Sequence, residues 1–189
     1  MEHDPALEAH EQAEHAAHAA HEQDPFVARV AMTVAVLAVM AATAGSLETV
    51  EAGRAIALSS AAVLAQEQAT DAWNEYQADS LKRHMYEIAA AGGGAKADEW
   101  RGDIPPERVN QARARGQAEK AEHARDTDMA DSTRHEERHH WLTGSATLIE
   151  IGIALSTVAI ITKRRSFWLA AMALGAAGAV LFAIAYMTA

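Results

Sequence analysis

Three long stretches that are almost free of charge constrain the fold of this chain more than any other feature. Residues 26–47 contain one charged side chain, near the start, residues 141–162 contain one near the middle, and residues 166–187 contain none. At a rise of about 1.5 Å per residue, roughly 20 helical residues cross a hydrocarbon layer about 30 Å thick. Each stretch is therefore predicted to be a transmembrane helix, and the lipid bilayer is the first partner that we expect.

Two other readings of these stretches are weaker. A soluble bundle would need amphipathic helices to cover three apolar ones, and so short a chain has little room for them. A cleaved signal peptide would end near the small residues Ala42-Thr43-Ala44. However, the 25 residues before the first stretch hold seven acidic side chains and no Lys or Arg, the opposite of a basic signal-peptide start. We therefore expect an uncleaved anchor.

The overall composition excludes several classes of function. The chain has 189 residues, a net charge of -10 and no cysteine, so disulfides and thiolate metal sites are excluded. Strong acidity without a clustered basic face argues against nucleic acid as a partner, because that affinity rests on neutralising phosphates. The sequence contains no Gly-rich phosphate loop, nucleophile elbow or Ser/His/Asp arrangement. We expect no enzyme, no catalytic residues, no cofactor and no metal site.

The short basic turn at residues 163–165 orients the chain in the membrane. Positive charge in a short loop marks the cytoplasmic side. Counting back from this turn, the acidic, His-rich arm of residues 1–25 is cytoplasmic and residues 48–140 lie on the outer side. We expect a multi-pass protein of the bacterial inner (plasma) membrane.

Residues 48–140 are predicted to form a helical hairpin outside the membrane. Residues 48–91 contain no proline and one glycine, so the first transmembrane helix is expected to continue outward. Glycines 92–94 break it, and Pro105-Pro106 suits the first turn of the next helix. The tip is therefore placed at about residues 92–105, with arms of unequal length. The predicted fold is an all-α membrane protein with three transmembrane helices and a long extramembrane helical hairpin between the first and second.

The packing of the hairpin is less well specified by the sequence. The outgoing arm lacks the continuous Leu/Ile seam that a stable two-stranded coiled coil usually shows. It carries small residues near the membrane and the aromatic residues Trp73 and Tyr76 nearer the tip. The returning arm has almost no apolar stripe and can bury little surface alone. We expect Trp73 and Tyr76 to lock a coiled-coil-like hairpin or to contact a neighbouring subunit of a homo-oligomer.

Glu150 is the candidate functional residue within the membrane. A carboxylate in the middle of a span must be protonated, paired or in contact with water, and it suggests a proton or cation relay. The alternative is a protonated side chain that hydrogen-bonds a neighbouring helix and serves assembly only.

Two groups of histidines are weaker candidates. His135-Glu136-Glu137-Arg138-His139 matches H-E-x-x-H, which on a helix places two imidazoles one turn apart. Its polar flanks and the lack of a pocket-forming domain argue against a zinc hydrolase. The histidines of the leader alternate with glutamates, which suggests a pH sensor or a weak metal site. A solvated acidic arm is the simpler interpretation.

A stripe of small residues follows the third span at steps of four residues, which allows two helices to pack backbone to backbone. It can serve self-association or packing onto the first span. The stripe consists of Ala171, Gly175, Ala179 and Ala183.

The chain resembles a bacterial family of membrane proteins known as domain of unknown function 4337. The resemblance covers most of the chain and rests on the acidic leader and on several motifs. These are the segment from Trp73 to Lys82, His139-His140-Trp141 at the start of the second span, Glu150 to Thr157 within it, the Lys163-Arg164-Arg165 turn and Gly175/Gly178. It implies a three-span protein with a helical extramembrane hairpin and assigns no activity.

Two functions follow as hypotheses. The first is a non-enzymatic integral membrane protein that self-associates and presents its hairpin as a scaffold or interaction module for a larger membrane or envelope complex. The alternative is a small oligomeric proton or cation channel, or a transporter accessory, that uses Glu150.

Overall fold

A computed structural model describes residues 25–187 of the chain. Within this range there are three α-helices and no strand: α1 (Pro25–Ala91), α2 (Ala97–Thr162) and α3 (Arg165–Met187). The first two helices are very long, with 67 and 66 residues, and the third has 23. Each contains one stretch long and apolar enough to cross a membrane. The predicted all-helical fold and the three apolar helices are confirmed. The predictions for the leader lie outside the described residues.

α1 ends at the glycine triplet, as the sequence predicts. The amide of Gly92 still donates to the carbonyl of Ile88 at 3.1 Å. Gly93 and Gly94 then adopt φ values of +74° and +102°, a left-handed region that costs side-chain-bearing residues energy and glycine very little. The chain therefore reverses within a few residues.

The prediction that Pro105 and Pro106 begin the second helix is wrong, because α2 begins at Ala97 and both prolines lie inside it. Acidic Asp98 and Glu99 occupy the first turn, where the helix dipole favours negative charge. Ala97 is buried. These early residues already form helix before Pro105, so the two prolines do not lie in the first turn. As a result, residues 56–91 and 97–132 are equal in length rather than unequal.

The described chain forms two compact units. One consists of residues 25–55 with 133–187 and is called the three-helix unit; the other is Ile56–Ser132 and is called the two-helix unit. In the three-helix unit the core contains Val34 and Leu37 of α1 with Ile149 and Ile153 of α2.

Backbones approach closely in the three-helix unit. A Cβ added at Gly175 of α3 would lie 2.5 Å from the Leu37 side chain, and one at Gly178 would lie 2.6 Å from the Ile149 side chain. Ser145 Oγ donates to the carbonyl of Gly178 at 2.8 Å. Glycine therefore allows α3 to contact both other helices without clashes.

The two-helix unit pairs the late part of α1 with the early part of α2 in an antiparallel manner. Ion pairs join Glu87 to Arg108 at 3.5 Å and Glu75 to Arg113 at 3.1 Å. The buried side chains are mostly alanine, namely Ala62, Ala65, Ala69, Ala72 and Ala90 of α1 with Ala97, Ala114 and Ala118 of α2. Small side chains let the helices approach closely but bury little apolar area per residue.

Candidate functional site beside the apolar helices

A group of interacting titratable side chains in the three-helix unit lies next to the apolar stretches of α1 and α2. Glu48 and Glu51 follow the first stretch, three residues apart and therefore on one helix face. His135 and His139 precede the second stretch and are spaced by four residues, which also places them on one face. The structure brings these two faces together.

The first carboxylate–imidazole pair joins Glu51 to His135. Glu51 is buried, with 8% of its surface exposed. Its Oε2 forms a short contact with Nδ1 of His135, and its Oε1 lies 3.4 Å from the Arg54 guanidinium. A buried carboxylate needs partners of this kind, because an unpaired charge away from water is costly.

The second pair joins Glu48 to His139. Nδ1 of His139 lies 3.8 Å from Glu48 Oε1 and makes no hydrogen bond there. The hydroxyl of Thr143 is 2.8 Å from the same carboxylate oxygen and 2.9 Å from the His139 carbonyl. Since a hydroxyl has one proton, Thr143 donates to one of these acceptors at a time. This pair is looser than the first.

The arrangement can fasten helices. A contact between an imidazole of α2 and a carboxylate of α1 joins the two helices. The H-E-x-x-H histidines thus meet carboxylates from α1, whereas Glu136 of the motif is exposed. Within residues 25–187 no group of three or more His, Asp or Glu side chains is arranged to hold a metal ion.

Sequence reasoning selected the histidines of this cluster but missed Glu48 and Glu51. A signal was available, because these glutamates directly follow one apolar stretch just as His135 and His139 precede the next. An antiparallel pairing of the two helices brings such positions to the same level.

The predicted intramembrane residue, Glu150, lies on the exposed surface of the three-helix unit and not in its core. The small-residue stripe of α3 divides between the core and the surface. Ala171 and Gly175 are buried, Ala179 is partly buried and Ala183 is exposed. The buried face instead continues through Gly178 and Ala185.

Trp73 and Tyr76 lie in the two-helix unit, and both are partly buried. Their rings meet edge to face with centroids 5.5 Å apart. The indole Nε1 of Trp73 donates to Glu122 Oε1 of α2 at 2.9 Å. The hydrogen bond joins the two helices of one chain, whereas the ring contact lies within α1.

Asp79 forms a second polar centre, between the helices of the two-helix unit. It is buried, and Lys82 donates to its Oδ1 at 3.3 Å, while Oδ2 has no hydrogen-bond partner in the described structure. The hydrogen bond to Asp79 and the nearby charge of Glu107 raise the pKa of Lys82 above its ordinary value. Lys82 therefore keeps its charge to a higher pH than an isolated lysine does. No sequence motif identifies Asp79 as a candidate residue. Its only signal in the sequence is that it occupies the same helical register as the buried alanines.

Comparison with known proteins yields one family. A family model described as "Domain of unknown function (DUF4337)" matches residues 26–188. No curated protein and no solved structure matches the chain. The match covers all three helices and carries no assigned activity.

Proposed function

The chain belongs to the DUF4337 family, and from this premise we propose that it is a non-enzymatic integral membrane protein that self-associates and presents a helical hairpin, the two-helix unit, as a scaffold. The three apolar helices support membrane insertion. The basic turn at residues 163–165 supports an outer location for the two-helix unit in a bacterial plasma membrane. Larger membrane complexes are the partners that such a scaffold would assemble.

The observation that carries this proposal is an apolar stripe on the outward face of α1. Leu81, Met85 and Ile88 are 63%, 60% and 73% exposed. Their spacing of four and three residues places them on one face of the helix. This face lies opposite the one that carries Asp79 and packs against α2. A contiguous apolar stripe in a polar surface marks an interaction site.

A second copy of the chain is the occupant that we propose for this stripe. Membrane insertion gives every copy the same topology, so that copies are related by rotation about the membrane normal. Two copies related by a twofold axis along this normal therefore present the same stripe to each other, as an isologous interface requires. Trp73 bonds α2 of its own chain and Tyr76 packs against Trp73, which leaves the stripe as the better candidate for contact between chains.

Cysteine cross-linking in membranes tests this proposal, because the natural chain contains no cysteine. Met85→Cys is expected to form a disulfide-linked dimer under mild oxidation. Ala112→Cys is the matched control, since Ala112 is exposed on α2 of the same unit and lies outside the stripe. Leu81→Asp combined with Met85→Cys should abolish the cross-link. Equal cross-linking at both positions, or none at Met85→Cys, would overturn the proposal.

An oligomeric channel is a second candidate function, and the exposure of Glu150 favours it. A carboxyl group on the outside of a span is expensive in lipid, and a polar axis shared between copies would shield it. Glu150→Gln is therefore expected to abolish proton or cation flux in liposomes while the oligomer stays intact. If neither the wild type nor Glu150→Gln conducts ions and the substitution changes the oligomer, Glu150 is assigned to assembly instead. Thr147→Val, at an exposed position one turn away, is the control.

A further inference from the structure

A groove on the three-helix unit has the shape and chemistry of a lipid site. It encloses about 440 Å³ between the apolar stretches of α1 and α3. Its walls are almost entirely apolar, and its principal lining residues are Met32, Val36, Met40, Met172, Ala176 and Ala179.

The groove has one basic end. Arg29 lines it there and is exposed. Trp168 of α3 lies at the same end, where its ring meets Phe26 edge to face with centroids 6.1 Å apart. These contacts place the start of α1 beside the start of α3, and α3 begins at Arg165, the last residue of the basic turn at residues 163–165. No Asp or Glu occurs in residues 25–47 or 163–187.

Hydrogen bonds fix the walls at this end. Trp168 Nε1 donates to Thr33 Oγ1 at 3.1 Å, and the Thr33 hydroxyl donates to the Arg29 carbonyl at 3.0 Å. Indole rings favour the level of lipid headgroups, where one edge is wet and the other apolar. The basic end is therefore expected to lie at headgroup depth.

The length of the groove matches one leaflet. Residues 29 to 40 of α1 span about 16 Å along the helix axis at about 1.5 Å per residue. Half of a hydrocarbon layer about 30 Å thick is about 15 Å. An acyl chain whose headgroup lies beside Arg29 would therefore end near Met40, at the level of the bilayer centre.

We propose that this groove binds an anionic phospholipid, with its phosphate beside Arg29 and the basic turn and one acyl chain along the groove. Guanidinium groups suit phosphate because they present several donors in one plane. A neutral or zwitterionic lipid would fill the groove, but it has no net negative charge to balance the positive charge at the basic end. The inference rests on the proposed membrane placement of the three-helix unit.

Native mass spectrometry of the full-length protein in detergent tests the site. The probes are phosphatidylglycerol and phosphatidylcholine with the same acyl chains, added together in equal amounts. The wild type is expected to retain phosphatidylglycerol preferentially. Arg29→Gln should weaken that preference roughly tenfold, the factor that corresponds to one charge-assisted hydrogen bond. Arg134→Gln, which removes an equal charge from an exposed position of the same unit outside the groove, should leave it unchanged.

A groove-filling variant tests the acyl-chain part separately. Ala176→Leu should reduce retention of both lipids severalfold, whereas Ala177→Leu should not, because Ala177 is exposed but does not line the groove. Equal retention of the two lipids by the wild type would overturn the proposal. Dissociation of an oligomer by Ala176→Leu but not by Ala177→Leu would also overturn it, since a second copy of the chain would then occupy the groove.

Carbonate extraction is measured in parallel, because release of the protein from membranes would overturn the membrane placement itself.

Discussion

Buried positions recur at alternating steps of three and four residues in both units, yet different side chains occupy them. In the three-helix unit this register on α1 is filled by Val30, Val34 and Leu37. In the two-helix unit it is filled by alanines such as Ala65, Ala69 and Ala72, and then by Asp79. The same helix geometry therefore serves two environments.

The difference follows from what each unit needs for stability. If the three-helix unit lies in lipid, as proposed, there is little hydrophobic gain from bringing its helices together, so close packing and glycine contacts hold them. In the two-helix unit alanine contributes little buried area, and cross-helix bonds such as that from Trp73 to Glu122 add specificity. The three-helix unit should therefore be more sensitive to added volume at its glycines than the two-helix unit, and in either unit a polar contact should matter more the more deeply it is buried.

The largest expected effect is that of Gly178→Ala in the three-helix unit. The new methyl group would lie 2.6 Å from the Ile149 side chain and 3.0 Å from the Ser145 carbonyl oxygen, which belongs to the backbone and cannot move away cheaply. We expect a loss of about 1 to 3 kcal/mol in the free energy of unfolding, as for other overpacked cores. Thermal unfolding in detergent, monitored by circular dichroism, measures it. An unchanged midpoint would mean that α3 packs less closely than the structure indicates.

Removal of one buried charge should have the next largest effect. Glu51→Gln keeps the shape of the side chain but replaces the carboxylate that faces His135 with an amide, which forms weaker hydrogen bonds. We expect a loss of about 1 to 2 kcal/mol, because bonds to charged groups exceed neutral ones by roughly that amount. The same thermal assay measures it.

Glu75→Gln is the control for this substitution. Glu75 pairs with Arg113 in the two-helix unit, and both side chains are exposed. Exposed ion pairs contribute little because water screens them. A loss at Glu75→Gln as large as that at Glu51→Gln would show that burial does not distinguish the two pairs.

Several features of the fold were predictable because they depend on local chemistry. Charge-free stretches locate the three apolar helices, and the glycine triplet locates the turn after α1. The start of α2 was not predictable by the same rules. Proline suits a first helical turn, but burial of Ala97 and the acidic first turn favour an earlier start. Tertiary contacts therefore outweighed a local preference.

The candidate site was only half predictable for a similar reason. His135 and His139 belong to a recognisable motif, whereas Glu48 and Glu51 gain significance only from the register between α1 and α2. The alanines of the outgoing arm indicated close helix approach, but their sequence did not specify which residues of α2 they would face. Register between helices is a tertiary property, and alanine, common in any helix, marks it weakly.

Gly116→Ala should have a smaller effect, and of opposite sign to Gly178→Ala. Gly116 lies within α2 of the two-helix unit, and a Cβ at this position would meet no atom within 4 Å. Alanine in a helix interior is favoured over glycine by about 0.8 to 1 kcal/mol. We expect a higher unfolding midpoint for this variant. Destabilisation would reveal a close contact at Gly116 and remove the contrast between the two units.

The smallest expected effect concerns acid and the ion pairs around Glu87. Burial is the largest single influence on this carboxyl and raises its pKa. The hydrogen bonds from His84 and Arg108 and the charge of Arg83 together outweigh burial and lower the pKa below its ordinary 4.5. A lowered pKa in the folded state means that the ionised form stabilises the fold. This contribution is complete above pH 4.5 and is lost as the pH falls through the lowered value.

Acidification should therefore weaken the pairing of α1 with α2 near Glu87, but only slightly, because the side chains involved are partly exposed and water screens them. Hydrogen exchange of residues 84–108, followed from about pH 6 down to about pH 3, measures this loss after correction for the intrinsic exchange rate. In Glu87→Gln, which cannot ionise, exchange protection should be lower at neutral pH and should change less on acidification. Parallel pH profiles for the two proteins would contradict this role of Glu87.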